Sequence, residues 1–162
     1  MIVVNNQLQV AKLKMAYILS FFVGIGLSIP IFVTQHVTTE HIVMSVLGIL
    51  FLFYFLYLVI IKPEYIFMAE VRGKLQVKNY PARPVLREYK AFEINLDTLD
   101  HIEIKKSFFG KKIHLTIWVK TQKGIGNYPS LSLSALSSLE QKKVSKFLSQ
   151  YSKNKEKNII QL

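Results

Sequence analysis

Three carboxylates and an imidazole fall within seven residues, Asp97, Asp100, His101 and Glu103. General acid–base work needs such groups held in a cleft that shifts their pKa values. A polar lead into a β-strand accounts for the same four residues with less. His36 and His41, with Glu40, could in principle share a metal between neighbouring copies, but a zinc site asks for ligands at fixed spacing, such as two His at i and i+4 on a helix, and the sequence offers none. Gly124-Ile-Gly126 lacks the strand–turn–helix setting and the lysine of a phosphate-binding loop, and no Gly-x-Ser-x-Gly elbow surrounds a serine of Ser130–Ser138. Cysteine is absent, which removes disulfides, thiol catalysis and cysteine–metal sites. The expectation is therefore of no catalytic residue, no cofactor and no metal.

The elements that position these residues hang from one stretch, Met15–Ile61. It holds two apolar runs, Met15–Val33 of 19 residues and Ile42–Ile61 of 20, neither with a charged side chain. About 20 apolar residues at 1.5 Å per residue match a hydrocarbon core roughly 30 Å thick, and a helix satisfies its own backbone there. The reading is a transmembrane helical hairpin with an outer loop, Thr34–His41. The first run is too long for a signal-peptide core and no small-x-small cleavage site closes it, so a retained anchor is expected. Lys12 and Lys14 precede the first run and Lys62 follows the second, whereas the loop carries Glu40 and no Lys or Arg. Positive residues stay inside, which predicts both termini in the cytoplasm. Tyr17, Tyr54 and Tyr57 lie towards the cytoplasmic ends.

Within the first run Ser20, Gly24 and Ser28 recur every four residues, a helix-packing stripe of small side chains. Packing against the second helix of the same chain explains it; a seam for a second copy or a partner is the alternative. Pro30 falls near the outer end. No ionisable residue lies inside either run, which argues against a proton relay, ion path or transporter.

Before the hairpin, residues 1–14 form a short cytoplasmic lead, with Leu8, Val10 and Leu13 suited to an interfacial helix. After it, composition changes at once. Strands are expected over Tyr65–Val71 and Lys74–Lys78 around an Arg72-Gly73 turn, then over Leu86–Leu96 and Ile102–Ser107. Two prolines in Tyr80–Pro84 mark a loop. Ile113–Lys120 alternates strictly, with Ile113, Leu115, Ile117 and Val119 on one face. Thr121–Gly126 reads as a turn and Asn127–Leu133 as a short strand. Ser137 and Glu140 fit a capping box, and Val144, Phe147, Leu148 and Tyr151 make one helical face. The expected layout is a membrane-anchored α+β chain: a hairpin over 15–61, an antiparallel β domain of six to seven strands over 62–152 closed by a C-terminal amphipathic helix, and a basic flexible tail, 153–162.

Residues 62–162 carry 19 Lys/Arg against 9 Asp/Glu, so +10 of the chain's +11 lies beyond the hairpin, in the β domain and the tail. For a domain tethered to a bilayer, the anionic leaflet is the nearest partner for that charge. No basic helix or interleaved aromatic platform points to nucleic acid. The candidate lipid-surface residues are Lys62, Lys111, Lys112, Lys142, Lys143 and Lys146. Candidate contact aromatics are Phe108, Phe109 and Trp118. Phe108-Phe109 sits beside two lysines at a turn tip, where the rings could enter the headgroup region or pack beneath the domain.

The order of strands and one terminal helix, with Leu99-Asp-His-Ile-Glu-Ile-Lys-Lys-Ser-Phe-Phe-Gly110, the strand Ile113–Lys120 and Tyr128-Pro-Ser-Leu-Ser-Leu-Ser-Ala-Leu-Ser137, resembles small bacterial two-helix membrane proteins with a PH-like (pleckstrin-homology-like) cytoplasmic domain. The resemblance implies a protein of the bacterial cytoplasmic membrane whose domain serves binding or scaffolding, without enzymatic activity. It transfers no phosphoinositide site: Arg72, Lys74 and Lys78 do not form that pattern. The expected function is a non-enzymatic scaffold engaging a protein partner, or a second copy, and the anionic membrane surface. Two rivals are an accessory subunit of a larger membrane complex recognised through its helices, and an enzyme acting on lipid or peptide through Asp97–Glu103.

Overall fold

The computed structural model describes residues 3–29, 33, 38–83, 88–152 and 159–161. Two long apolar helices, α1 (Gln7–Ser28) and α2 (Thr39–Ile61), lie antiparallel. Most of their apolar side chains, among them Leu19, Phe22, Leu50 and Phe53, face outward rather than into a protein core. The seam between them is built from small residues. A Cβ at Gly48 would stand 2.6 Å from Ser28 Oγ and 2.8 Å from Gly24 O, so only glycine permits this approach. Ser20, Gly24 and Ser45 are buried along the same seam. The Ser20/Gly24/Ser28 stripe thus serves packing within the chain.

The rest is two sheets, antiparallel but for one parallel pair, plus a terminal helix, α3 (Ser138–Tyr151). One sheet has the order β1 (Val3–Asn5), β2 (Glu64–Val71), β3 (Lys74–Pro81), β4 (Lys90–Asn95). The other runs β7 (Gly124–Asn127), β6 (Lys112–Thr121), β5 (Leu99–Ser107), β9 (Ile159–Gln161), and β8 (Leu131–Ser132) also pairs with β6. Ile66, Leu75 and Ile94 of the first sheet meet Ile102, Leu115 and Ile117 of the second in one core. Helix α3 closes it with Val144, Phe147 and Leu148, each worth about 1.5–3 kcal/mol on burial. Its capping box forms as the sequence requires: Glu140 N–H donates to Ser137 Oγ at 3.3 Å and Ser137 N–H to Glu140 Oε2 at 2.8 Å.

Several boundaries differ from expectation. Helix α2 begins at Thr39, inside the expected loop, and β5 begins at Leu99 rather than Ile102. The expected turn Thr121–Gly126 is largely strand, since β6 runs to Thr121 and β7 starts at Gly124 to pair with it. The strand expected over Asn127–Leu133 shrinks to Leu131–Ser132. Residues 1–14 do not form a separate lead: Val3, Val4 and Asn5 pair with Ala69, Met68 and Phe67 of β2, and α1 begins at Gln7. The hairpin therefore occupies the connection between the first two strands of one sheet. Strand β3 continues to Pro81, its last residue, opposite Glu64, where a missing N–H interrupts nothing further along. The strand expected from Leu86 starts at Lys90, residues 84–87 lying outside the described set. In the tail expected to be flexible, Ile159–Gln161 pairs in parallel with Glu103–Lys105. Two β-branched residues favour extended backbone there, and β5 would otherwise present an open edge. Pro30, His36 and the tail lysines also fall outside the described residues.

Candidate functional site

Strands β5 and β6 run between the end of the domain beside the hairpin and the end away from it, about 26 Å apart over β5 at 3.3 Å per residue. The candidate residues sort onto these two ends. The near end is fixed to the hairpin by Asn6, which is fully buried. Its side chain does not cap α1. Instead Asn6 Nδ2 donates to Glu64 O at 2.9 Å and Ile66 N–H donates to Asn6 Oδ1 at 2.8 Å, so the side chain copies a strand's pairing. Val10 packs with Ala82 and Ala135, joined by Leu13 and Tyr65. The first two turns of α1 are therefore part of the β domain. Lys14 Nζ sits 4.9 Å from the centre of the Tyr80 ring, and Tyr80 stacks between Tyr65 and Tyr89. Higher up, Tyr17 donates its hydroxyl to Leu58 O at 2.6 Å.

Beside this base the β5–β6 turn climbs along α2. Phe108 lies 6.1 Å from Tyr57, ring centre to ring centre. Tyr57 is four residues before the helix end at Ile61, so Phe108 reaches about 6 Å up the apolar helix. Phe109, at the tip, is 100% exposed. Phe108 and Phe109 hold φ of 54° and 53°, left-handed backbone that L residues adopt at a cost of roughly 1–2 kcal/mol each. Gly110 follows at 74°, where glycine is free to go. Lys111 and Lys112 flank the tip, and Lys62 is the C-cap of α2, five residues after Tyr57. Lys142 lines a groove with Lys106 between α3 and the β5–β6 pair, while Lys143 and Lys146 are exposed on α3.

The far end holds the acid–base cluster and Trp118, where the charged groups pair with one another but the buried Trp118 Nε1 has no hydrogen-bond partner. Asp100 is fully buried. Its Oδ2 lies 2.8 Å from His101 Nδ1, its Oδ1 3.5 Å from Lys120 Nζ, and its backbone carbonyl accepts from Ser152 Oγ at 3.0 Å. The His101 hydrogen bond, opposed by burial and helped by Lys120, holds the Asp100 carboxyl below its ordinary range. Trp118 stacks flat on His101, centres 5.3 Å apart. Asp97 N–H caps a short 3-10 turn on Asn95 Oδ1, and Glu103 pairs with Lys105 at 3.0 Å. Trp118 is thus separated from Phe108 and Phe109 rather than sharing a surface with them. On the outward face of β6, burial pushes the His114 imidazole pKa down, aided by Lys112.

His41 turns back to the start of α2, its Nδ1 3.3 Å from Thr38 N. Among the described residues no three His, Asp or Glu side chains converge as a metal set would. Sequence reasoning passed over Asn6 and Gly48. Asn6 stands where a helix cap is favoured, and Gly48 is a small residue in an apolar run, so each carried a local signal without naming its distant partner. Comparison with known proteins yields no match: no family model, no curated protein and no solved structure is similar to this chain.

Proposed function

We propose that the chain is a non-enzymatic, membrane-anchored binding or scaffold protein. Its hairpin spans a bacterial cytoplasmic membrane, and its PH-like domain engages a protein partner and the anionic lipid surface from the cytoplasmic side. The observation that carries this reading is the β5–β6 turn, with Phe108 against Tyr57 and Phe109 exposed beside an apolar helix. A ring left in water at the cost of left-handed backbone is explained when the tip enters the headgroup region, with Lys111 and Lys112 near phosphates. Outward apolar faces on both helices support lipid as their surroundings. Antiparallel strands closed by one terminal helix support the PH-like arrangement, with the hairpin inserted after its first strand. The outer edges of β4 and β7 supply backbone groups that a partner strand could pair with.

Recognition through the helices as an accessory subunit is less favoured, because the small-residue stripe is already used inside the hairpin. The test exploits the absence of cysteine. Single replacements Glu40→Cys and Lys142→Cys in the intact protein are exposed to a membrane-impermeant maleimide in whole cells. Labelling of Glu40→Cys in intact cells, with Lys142→Cys labelled only after permeabilisation, is expected. The reverse pattern, or equal labelling of both, refutes the topology.

A further inference from the structure

Where the hairpin joins the domain, a cavity of about 280 Å³ opens between Tyr17 and Val59 of the helices and Arg83 and Lys90 of the sheet side. Five charged side chains line it: Lys62, Arg83 and Lys90 against Glu64 and Glu88. The acids are committed. Glu64 Oε2 accepts from Asn79 Nδ2 at 3.0 Å and from Ser132 N–H at 3.1 Å, and Glu88 lies 3.8 Å from Lys90. The lining thus nets +1 (three cations against two carboxylates), with Lys62 and Arg83 outside any ion pair among the described residues and Val59 leading onto the apolar face of α2.

We infer that this cavity holds the headgroup of one anionic phospholipid, its phosphate between Lys62 and Arg83 and its acyl chains along the α2 face beyond Val59. The inference rests on the membrane-spanning reading, which sets the cavity at headgroup depth. Two features favour a lipid over a soluble anion: the apolar exit at Val59 and the position at the base of two apolar helices. Basic pockets of this kind on the cytoplasmic side of helices suit phosphate-bearing headgroups.

The test uses the intact protein in mild detergent, with phosphatidylglycerol or phosphatidylcholine added at equal concentration and bound lipid counted by native mass spectrometry. One phosphatidylglycerol per chain is expected, on the order of tenfold above phosphatidylcholine. Lys62→Gln with Arg83→Gln should abolish that preference, and Arg83→Gln alone, at an exposed position, should lower it. Lys78→Gln with Lys123→Gln, the same change in charge at exposed positions away from the cavity and outside the candidate lipid surface, should leave it intact. Equal retention of both lipids, or equal loss in both double variants, overturns the inference. Displacement of phosphatidylglycerol by excess inorganic phosphate also overturns it, assigning the cavity to a soluble anion. Alkaline carbonate extraction of native membranes separates the two levels. Release of the protein defeats the membrane reading itself, whereas retention without a phosphatidylglycerol adduct defeats the cavity alone.

Discussion

The two ends of the β5–β6 hairpin are made of similar material and use it oppositely. At the far end an acid, an imidazole, an ammonium and an indole close on one another, Asp100 with His101 and Lys120, and Trp118 stacked on His101. At the near end two phenylalanines occupy strained backbone, with one ring fully in the open beside lysines. Groups satisfied within the fold are explained by folding; groups left unsatisfied at a cost call for something outside the chain. By that criterion folding accounts for the paired acid, imidazole and ammonium but not for the buried Trp118 Nε1, which lacks a hydrogen-bond partner, and the exposed turn is the stronger candidate for an outside contact.

The contrast can be broken or sharpened in order of effect. The largest change should come from the seam that holds the near end in place. Gly48→Leu drives a side chain into Ser28 and the Gly24 carbonyl and should cost about 3 kcal/mol, read as loss of a cooperative thermal transition in detergent. Asn6→Ala removes two hydrogen bonds to β2 and leaves buried backbone unpaired; a loss of about 2–3 kcal/mol in the unfolding midpoint series is expected. A midpoint unchanged by Asn6→Ala would show that α1 and the β domain are not joined as described.

Both ends should answer to pH, His114 near the turn and Asp100 at the far end. His114 has its pKa depressed in the folded state, so unfolding is favoured as pH falls below the ordinary 6.5, where the unfolded chain takes up the proton first. Asp100 is depressed below its ordinary 3.8, so its contribution is present above that value and lost as pH falls through the lower, folded one. Thermal midpoints should therefore be level above neutrality and fall in two steps on acidification. His114→Gln should remove the first step and Asp100→Asn the second; a profile identical to wild type in either variant contradicts the assignment.

The smallest effect carries the opposite sign. Phe109→Gly relieves a left-handed residue that packs little, and should stabilise the detergent-solubilised protein by up to about 1 kcal/mol. A destabilised variant would mean that the ring is held by the domain and is not offered outward.

The sequence carried the parts whose signals are local. Ile113–Lys120 alternates, so its buried face was legible residue by residue, and the Ser137/Glu140 box placed the start of α3. The two apolar runs announced a helical hairpin by length alone. What stayed hidden was long-range. A three-residue strand such as Val3–Asn5 is too short to show a period, and its partner lies more than sixty residues away. The same holds for Gly48 facing Ser28, and for Ile159–Gln161 on the edge of β5. At the candidate site, the pairing of phenylalanines and lysines was visible, but their left-handed backbone and approach to Tyr57 are properties of the assembled fold.

The most direct test of the central claim uses Trp118, the chain's single tryptophan, as an internal reference at the far end. Wild-type protein and Phe109→Trp are reconstituted in anionic vesicles whose acyl chains carry bromine, and tryptophan emission is compared with that in unbrominated vesicles. The account predicts unquenched emission from wild type and a new, blue-shifted, bromine-quenched component in Phe109→Trp. Emission from Phe109→Trp that is red-shifted and indifferent to bromine would place the turn in water and contradict the account.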